Sequence, residues 1–140
     1  MTQNLQLFFT AAKLGAISQA TPITMGLSGA GVYAVTTEVG EFIFRLNVPT
    51  RNDDTFTQAL FAQRLAARQN LAPKIVYADP AAGVTISEKI TGIHIGMVLA
   101  QPEVRPRALH ALATSFGRLH EISAPKLPVF DMGLVQSTWD

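Results

Sequence analysis

The run Gly26-Leu27-Ser28-Gly29-Ala30-Gly31 places three glycines within six residues, and a cation, Arg45, follows fourteen residues after Gly31. A glycine-rich turn can bring backbone N–H groups close to an anion, because no side chains block the approach. A guanidinium held at a fixed point can neutralise phosphate charge and grip it bidentately. Either feature could meet an anion. Each also has a plain structural reading: a hairpin turn with no ligand, and an Arg on the solvent side of a strand. Phe44 and Leu46 alternate with Arg45, so strand periodicity alone leaves both readings open.

Other chemistries find little support. There is no cysteine, which excludes a disulfide framework and any Cys-based metal site. His94, His110 and His120 are too far apart for a helical HxxxH pair, so each is read as a packing and hydrogen-bonding residue. For His120 the carboxyl end of a helix would favour that role. No metal ligand set is expected. Eleven basic and ten acidic residues give a net charge of +1 and are scattered rather than banded, which argues against nucleic acid or an anionic membrane as partner. The first eighteen residues have no basic n-region or small-residue cleavage site, and no run approaches the roughly 20 apolar residues of a membrane span. A cytoplasmic protein is the expectation.

The elements that would position Arg45 and the glycine run can be read from periodicity. Leu5, Phe8, Phe9 and Ala12 lie at helical spacing, predicting a short amphipathic helix over 4–14, ended by Gly15 and Thr21-Pro22. An extended segment over 23–27 leads into the glycines. Val32–Val39 and Glu41–Leu46, rich in β-branched and aromatic residues around Gly40, predict an antiparallel hairpin. The segment 48–54 has loop composition with an N-cap at its end. A helix over 55–69 would turn Phe56, Ala59, Leu60 and Ala67 to one face, with Asn70 as its carboxyl cap. Strands over 74–78 and 84–90 are joined by Asp79-Pro80-Ala81-Ala82-Gly83, Thr91-Gly92 breaks the chain, and a helix follows over 104–121. The tail, 122–140, shows no firm period. Antiparallel hairpins with one inserted helix predict an α+β class. A 140-residue chain suits one ordinary domain. Charged residues are only 15% and apolar ones 48%, a hint of a partner, second lobe or missing segment.

This order, with a glycine turn between the first two strands, resembles the small lobe of protein-kinase-like folds. GLSGAGVY resembles the GLSNxxY-type run of the aminoglycoside phosphotransferase and choline kinase families, with Ser28 in place of a middle glycine. Arg45 in FIFRL stands on the strand where kinases carry the Lys that pairs with the α- and β-phosphates, and choline kinase-like VLRL strands often have Arg there. LAPKIVYAD resembles GLAPxVLYFD, VTISEKITG resembles the hinge LISEFIPG, and ALATSFGRLHEISAP resembles the LxxLHxLP helix that opens the large lobe.

The resemblance spans about residues 20–125 and implies a small lobe over 1–91, with an antiparallel sheet of about five strands, an inserted helix and a short amino-terminal helix. Residues 92–140 would be the hinge exit and the first helix of an incomplete large lobe. It implies ATP and Mg²⁺ as ligands and a small-molecule hydroxyl acceptor, an amino alcohol or aminoglycoside. Gly26, Leu27, Ser28, Gly29, Ala30 and Gly31 would cover the triphosphate, Arg45 would meet phosphate, and the main chain of Ser87, Glu88 and Lys89 would hold adenine.

Two departures bear on activity. The Glu that pairs with the strand cation in kinases falls on Ala59, beside Gln58, which leaves Asp53, Asp54 or Glu38 as partners or no pair at all. No HGDxxxxN loop occurs, and Asp131 and Asp140 stand in no comparable context, so no catalytic residue and no Mg²⁺ ligand is assigned. The expectation is the ATP-binding part of a small-molecule kinase, a fragment or truncated product inactive alone. The alternative is a non-catalytic nucleotide-binding or interaction module, a pseudokinase-like lobe. A blander third reading is a small α+β interaction domain whose glycine run is only a turn.

Overall fold

The structure, a computed structural model, describes residues 2–24, 31–47 and 53–123. Five strands, β1 (Ile17–Pro22), β2 (Gly31–Thr37), β3 (Glu41–Leu46), β4 (Ile75–Asp79) and β5 (Val84–Glu88), form one sheet in the order β1-β2-β3-β5-β4, antiparallel at every pair. The β2–β3 hairpin forms as its sequence predicts. Its turn is built by the buried Thr37, whose Oγ1 accepts the N–H groups of Val39 (3.1 Å) and Gly40 (3.3 Å).

Alternation then sorts the side chains. Val35, Phe42, Phe44, Val84 and Ile86 point to one face and are buried there against helix α1 (Thr2–Ala11), which contributes Leu5 and Phe9. Phe9 packs edge-on against Phe42 at 5.9 Å between ring centroids, and Phe8 lies 5.8 Å from Phe44. The predicted apolar stripe of this helix is therefore its packing face.

The helix ends earlier than the sequence suggests. Lys13 adopts φ 57°, its N–H reaches Thr10 O (3.0 Å), and Leu14 N–H reaches Phe9 O (2.9 Å), the paired bonds of a Schellman stop. Gln6 ties the helix to β1: its Nε2 donates to Gly15 O (3.1 Å) and its Oε1 accepts from Ile17 N–H (2.8 Å). The first strand accordingly runs over Ile17–Pro22, ahead of the predicted extended segment 23–27, of which 25–27 lie outside the described residues. Pro22 does not break it, because it is the last residue of an edge strand, where a missing donor is tolerated. The ladder extends one residue further through Ile23 N–H to Val32 O (2.8 Å).

Helix α2 (Asp53–Arg68) lies beside β4 and starts two residues before the predicted helix. Leu60, Ala66 and Ala67 are its buried residues and Phe56 is half-buried, whereas Ala59 is exposed rather than inward. Asn70 caps the helix as expected, with φ 56°, its N–H on Ala67 O and Leu71 N–H on Ala66 O, both at 3.0 Å. Beyond β5 come α3 (Ile95–Leu99), which the sequence does not announce, and α4 (Arg105–His120), close to the predicted helix. His94 caps α3, its Nδ1 accepting Gly96 N–H at 3.1 Å, and Arg105 Nε donates to Leu99 O at 2.7 Å. Among the described residues no helix is long and apolar enough to cross a membrane.

Candidate functional site

Because Phe42 and Phe44 face α1, Ile43 and Arg45 emerge on the other side of the sheet. The register extends this side into two cross-strand rows. In one, Ala34, Ile43, Ser87 and Ile75 stand side by side across β2, β3, β5 and β4. In the next, Val32, Arg45, Thr85 and Ala78 do the same. Two residues of strand separate the rows, roughly 7 Å. Every member is half-buried except Arg45, which is exposed. The face thus offers a small, mostly apolar floor with one cation a short distance along it. A ligand with a flat apolar end and an anionic end matches that arrangement.

The Arg45 side chain makes no hydrogen bond or ion pair with the described residues. Of the partners the sequence offered, Glu38 is out of reach. It sits in the β2–β3 turn, where its carboxylate crowds Gly15 so closely that a Cβ there would lie 2.8 Å from Glu38 Oε1. Arg45 is four residue pairs down the hairpin from that turn, roughly 13 Å. Ala59 offers no charge, and the side chains of Asp53 and Asp54 lie outside the described residues.

Ser87 lies between Ile43 and Ile75, in the row next to Arg45. The two residues after it are tied down. Glu88 N–H donates to Lys74 O (3.0 Å) and its Oε1 accepts Lys74 N–H (2.9 Å). Lys89 N–H donates to Glu41 O at a longer 3.3 Å, and Lys89 Nζ pairs with Glu41 Oε1 at 2.6 Å. From Ile90 to Ile93 the main chain forms no hydrogen bond with the described residues, and both isoleucines are well exposed. The fold therefore brings Arg45 and Ser87 onto one face and places Glu88 and Lys89 at its rim.

Gly26, Leu27, Ser28, Gly29 and Ala30 lie outside the described residues. Gly31 opens β2 opposite Leu46. A Cβ there would meet the Tyr33 ring at 3.6 Å and Leu46 Cβ at 3.8 Å, ordinary contacts, so packing does not demand glycine. The floor residues Val32, Ala34, Ile43 and Thr85 were not singled out from sequence, although strand alternation opposite Phe42 and Phe44 contains the signal. Glu41 carries no such signal, since its partner is 48 residues away.

Among the described residues no group of three or more His, Cys, Asp or Glu could hold a metal ion. A separate cleft of about 430 Å³ lies where the carboxyl ends of α2 and α4 meet, lined in part by Arg68, Gln69, Arg118 and Glu121. Arg118 Nη2 donates to Gln69 O there at 3.0 Å, a cation on the exposed carbonyl end of α2. None of the Arg45 face lines this cleft, and its own polar contact is structural.

The architecture is thus an α+β fold with a five-stranded antiparallel sheet, one helix on its closed face and a half-open floor on the other. Among solved structures the chain is similar to the crystal structure of a choline/ethanolamine kinase family protein from Mesorhizobium loti. The TM-score is 0.62 and the identity 22%, and the match covers 99% of this chain and 45% of that one. The likeness is one of fold. No protein-family model and no curated protein matches the chain.

Proposed function

We propose that this chain is the ATP-binding part of a small-molecule kinase, a phosphotransferase acting on a hydroxyl of an amino alcohol, aminoglycoside or similar compound. One observation carries the reading: an unpaired Arg45 shares a sheet face with the apolar row Ala34–Ile43, beside the exit of β5. The fold likeness to a choline/ethanolamine kinase family structure supports it. In this reading residues 1–91 are the small lobe and 92–140 begin the large one. Adenine lies on the apolar row against the main chain of Ser87, Glu88 and Lys89. Arg45 meets phosphate, and Gly26–Gly31 cover the triphosphate. Mg²⁺ would accompany ATP and screen its charge. The described residues do not fit a metal site, so no step of binding runs through it.

A second reading, a non-catalytic nucleotide-binding module, is favoured by one specific observation. Arg45 has no carboxylate partner among the described residues, and Ala59, aligned with the kinase Glu, is exposed and uncharged. A kinase relies on that ion pair to fix its cation, whereas nucleotide docking needs it less. Titration calorimetry of the 140-residue chain with ATP and Mg²⁺ tests the binding that both readings share, and the coding sequence downstream of Asp140 separates them. ATP binding with an HGDxxxxN-like loop encoded downstream supports the kinase, ATP binding without such a loop supports the module, and absence of binding excludes both.

A further inference from the structure

We infer that Glu41 and Lys89 form a latch over the adenine contact, so that nucleotide enters only when their ion pair opens. The inference rests on the adenine placement proposed above. Two bonds join the same two residues: Lys89 N–H to Glu41 O at 3.3 Å, and Lys89 Nζ to Glu41 Oε1 at 2.6 Å. The main-chain bond is long for an N–H···O pair and weak on its own. The side-chain pair is short and charge-assisted, and it holds the carbonyl of Glu41 over the N–H a purine acceptor would need.

Position makes this a matter of access. Glu41 is the first residue of β3 and Lys89 the first beyond β5, so their contact closes the rim of the floor that holds Ile43 and Ser87. The neighbouring Glu88–Lys74 bonds run to the opposite side, toward β4, and anchor β5 without obstructing that rim. Exposure is what makes the latch reversible. The side chains of Lys89 and Glu41 are 35% and 52% exposed, so water and salt compete for them. An exposed ion pair is worth little, and opening it is correspondingly easy. The latch therefore tunes affinity and does not abolish it.

Adenosine is the probe of choice, because it is neutral and its binding does not involve the charge on Arg45. Glu41→Gln and Lys89→Met each remove the ion pair from one end while keeping both main chains. Both variants should bind adenosine about 1.5- to 5-fold more tightly than the natural chain. Raising NaCl from about 50 to 500 mM should tighten adenosine binding to the natural chain and leave the variants unchanged, since salt shortens the reach of exposed charges. In hydrogen exchange followed by NMR, the Lys89 amide should exchange faster in Glu41→Gln. Equal adenosine affinity in all three proteins would overturn the latch and leave the nucleotide reading standing. An unchanged Lys89 exchange rate would also overturn it. If none of the three binds adenosine or ATP, the nucleotide reading falls and the latch falls with it.

Discussion

Asn47 and Gly83 interlock the end of β3 with the β4–β5 turn: Gly83 O accepts Asn47 N–H at 2.9 Å and Asn47 Nδ2 at 3.4 Å. The fit leaves no room, since a Cβ on Gly83 would sit 2.8 Å from Asn47 O. Gly83 also has φ 66°, a left-handed conformation that costs other residues roughly 1–2 kcal/mol. Gly83→Ala should therefore lower stability by about 2–3 kcal/mol, the strain and the clash acting together. Asn47→Ala removes only the longer side-chain bond and should cost about 0.5 kcal/mol. Urea unfolding followed by circular dichroism measures both. Equal losses for the two would show that the interlock is not tight.

At the end of α1 the same backbone conformation falls on an exposed lysine. Lys13 sits at φ 57° in the Schellman stop, where glycine is the usual occupant. Lys13→Gly should stabilise the fold by about 0.5–1 kcal/mol, the relieved strain exceeding the entropy lost on fixing a glycine. Asn70→Gly, at φ 56° just beyond the end of α2, should gain less, because Asn tolerates this region. A thermal melt that leaves Lys13→Gly no more stable than Asn70→Gly would contradict this.

Phe9 is fully buried and touches both Phe42 and Phe44, joining helix to sheet. Phe9→Ala should cost about 3–5 kcal/mol, a large share of the roughly 5–15 kcal/mol that holds an ordinary domain folded. Phe8→Ala, at a half-buried neighbour, should cost clearly less. Near-ultraviolet circular dichroism and the urea midpoint distinguish the two.

How much of this was legible in advance follows from which signals are local. The hairpin Val32–Leu46 and the Asn70 cap are legible in the sequence, because alternation and a capping residue act within a few positions. Helix α3 leaves no such signal: five residues flanked by Gly92 and Pro102 are too few to show a period. Strand β1 is hidden from local reading because Thr21-Pro22 signals a break in isolation and is tolerated only at a sheet edge, which is a tertiary fact. The side of the sheet that carries Arg45 was latent in the Phe42–Phe44 alternation but became readable only once α1 was placed. Glu41 and Lys89 meet through the β3–β5 register, and that pairing of distant strands leaves no trace in local spacing.

Arg45 supplies the test that bears most directly on function. Its side chain is exposed and makes no hydrogen bond or ion pair with the described residues, so truncating it should leave stability within about 0.5 kcal/mol. Its proposed role is to make charge-assisted bonds to phosphate, each worth about 1.5–3 kcal/mol. Arg45→Ala should therefore weaken ATP binding by about 10- to 150-fold while changing adenosine binding little. Arg45→Lys should recover part of the loss, because an ammonium keeps the charge but not the bidentate grip. Parallel calorimetric titrations with ATP, ADP and adenosine read the difference directly. A uniform loss across all three ligands would mean that Arg45 shapes the floor rather than meeting phosphate. No loss for ATP would move the phosphate site away from β3 and leave the cation as solvent-facing charge on an edge of the apolar floor.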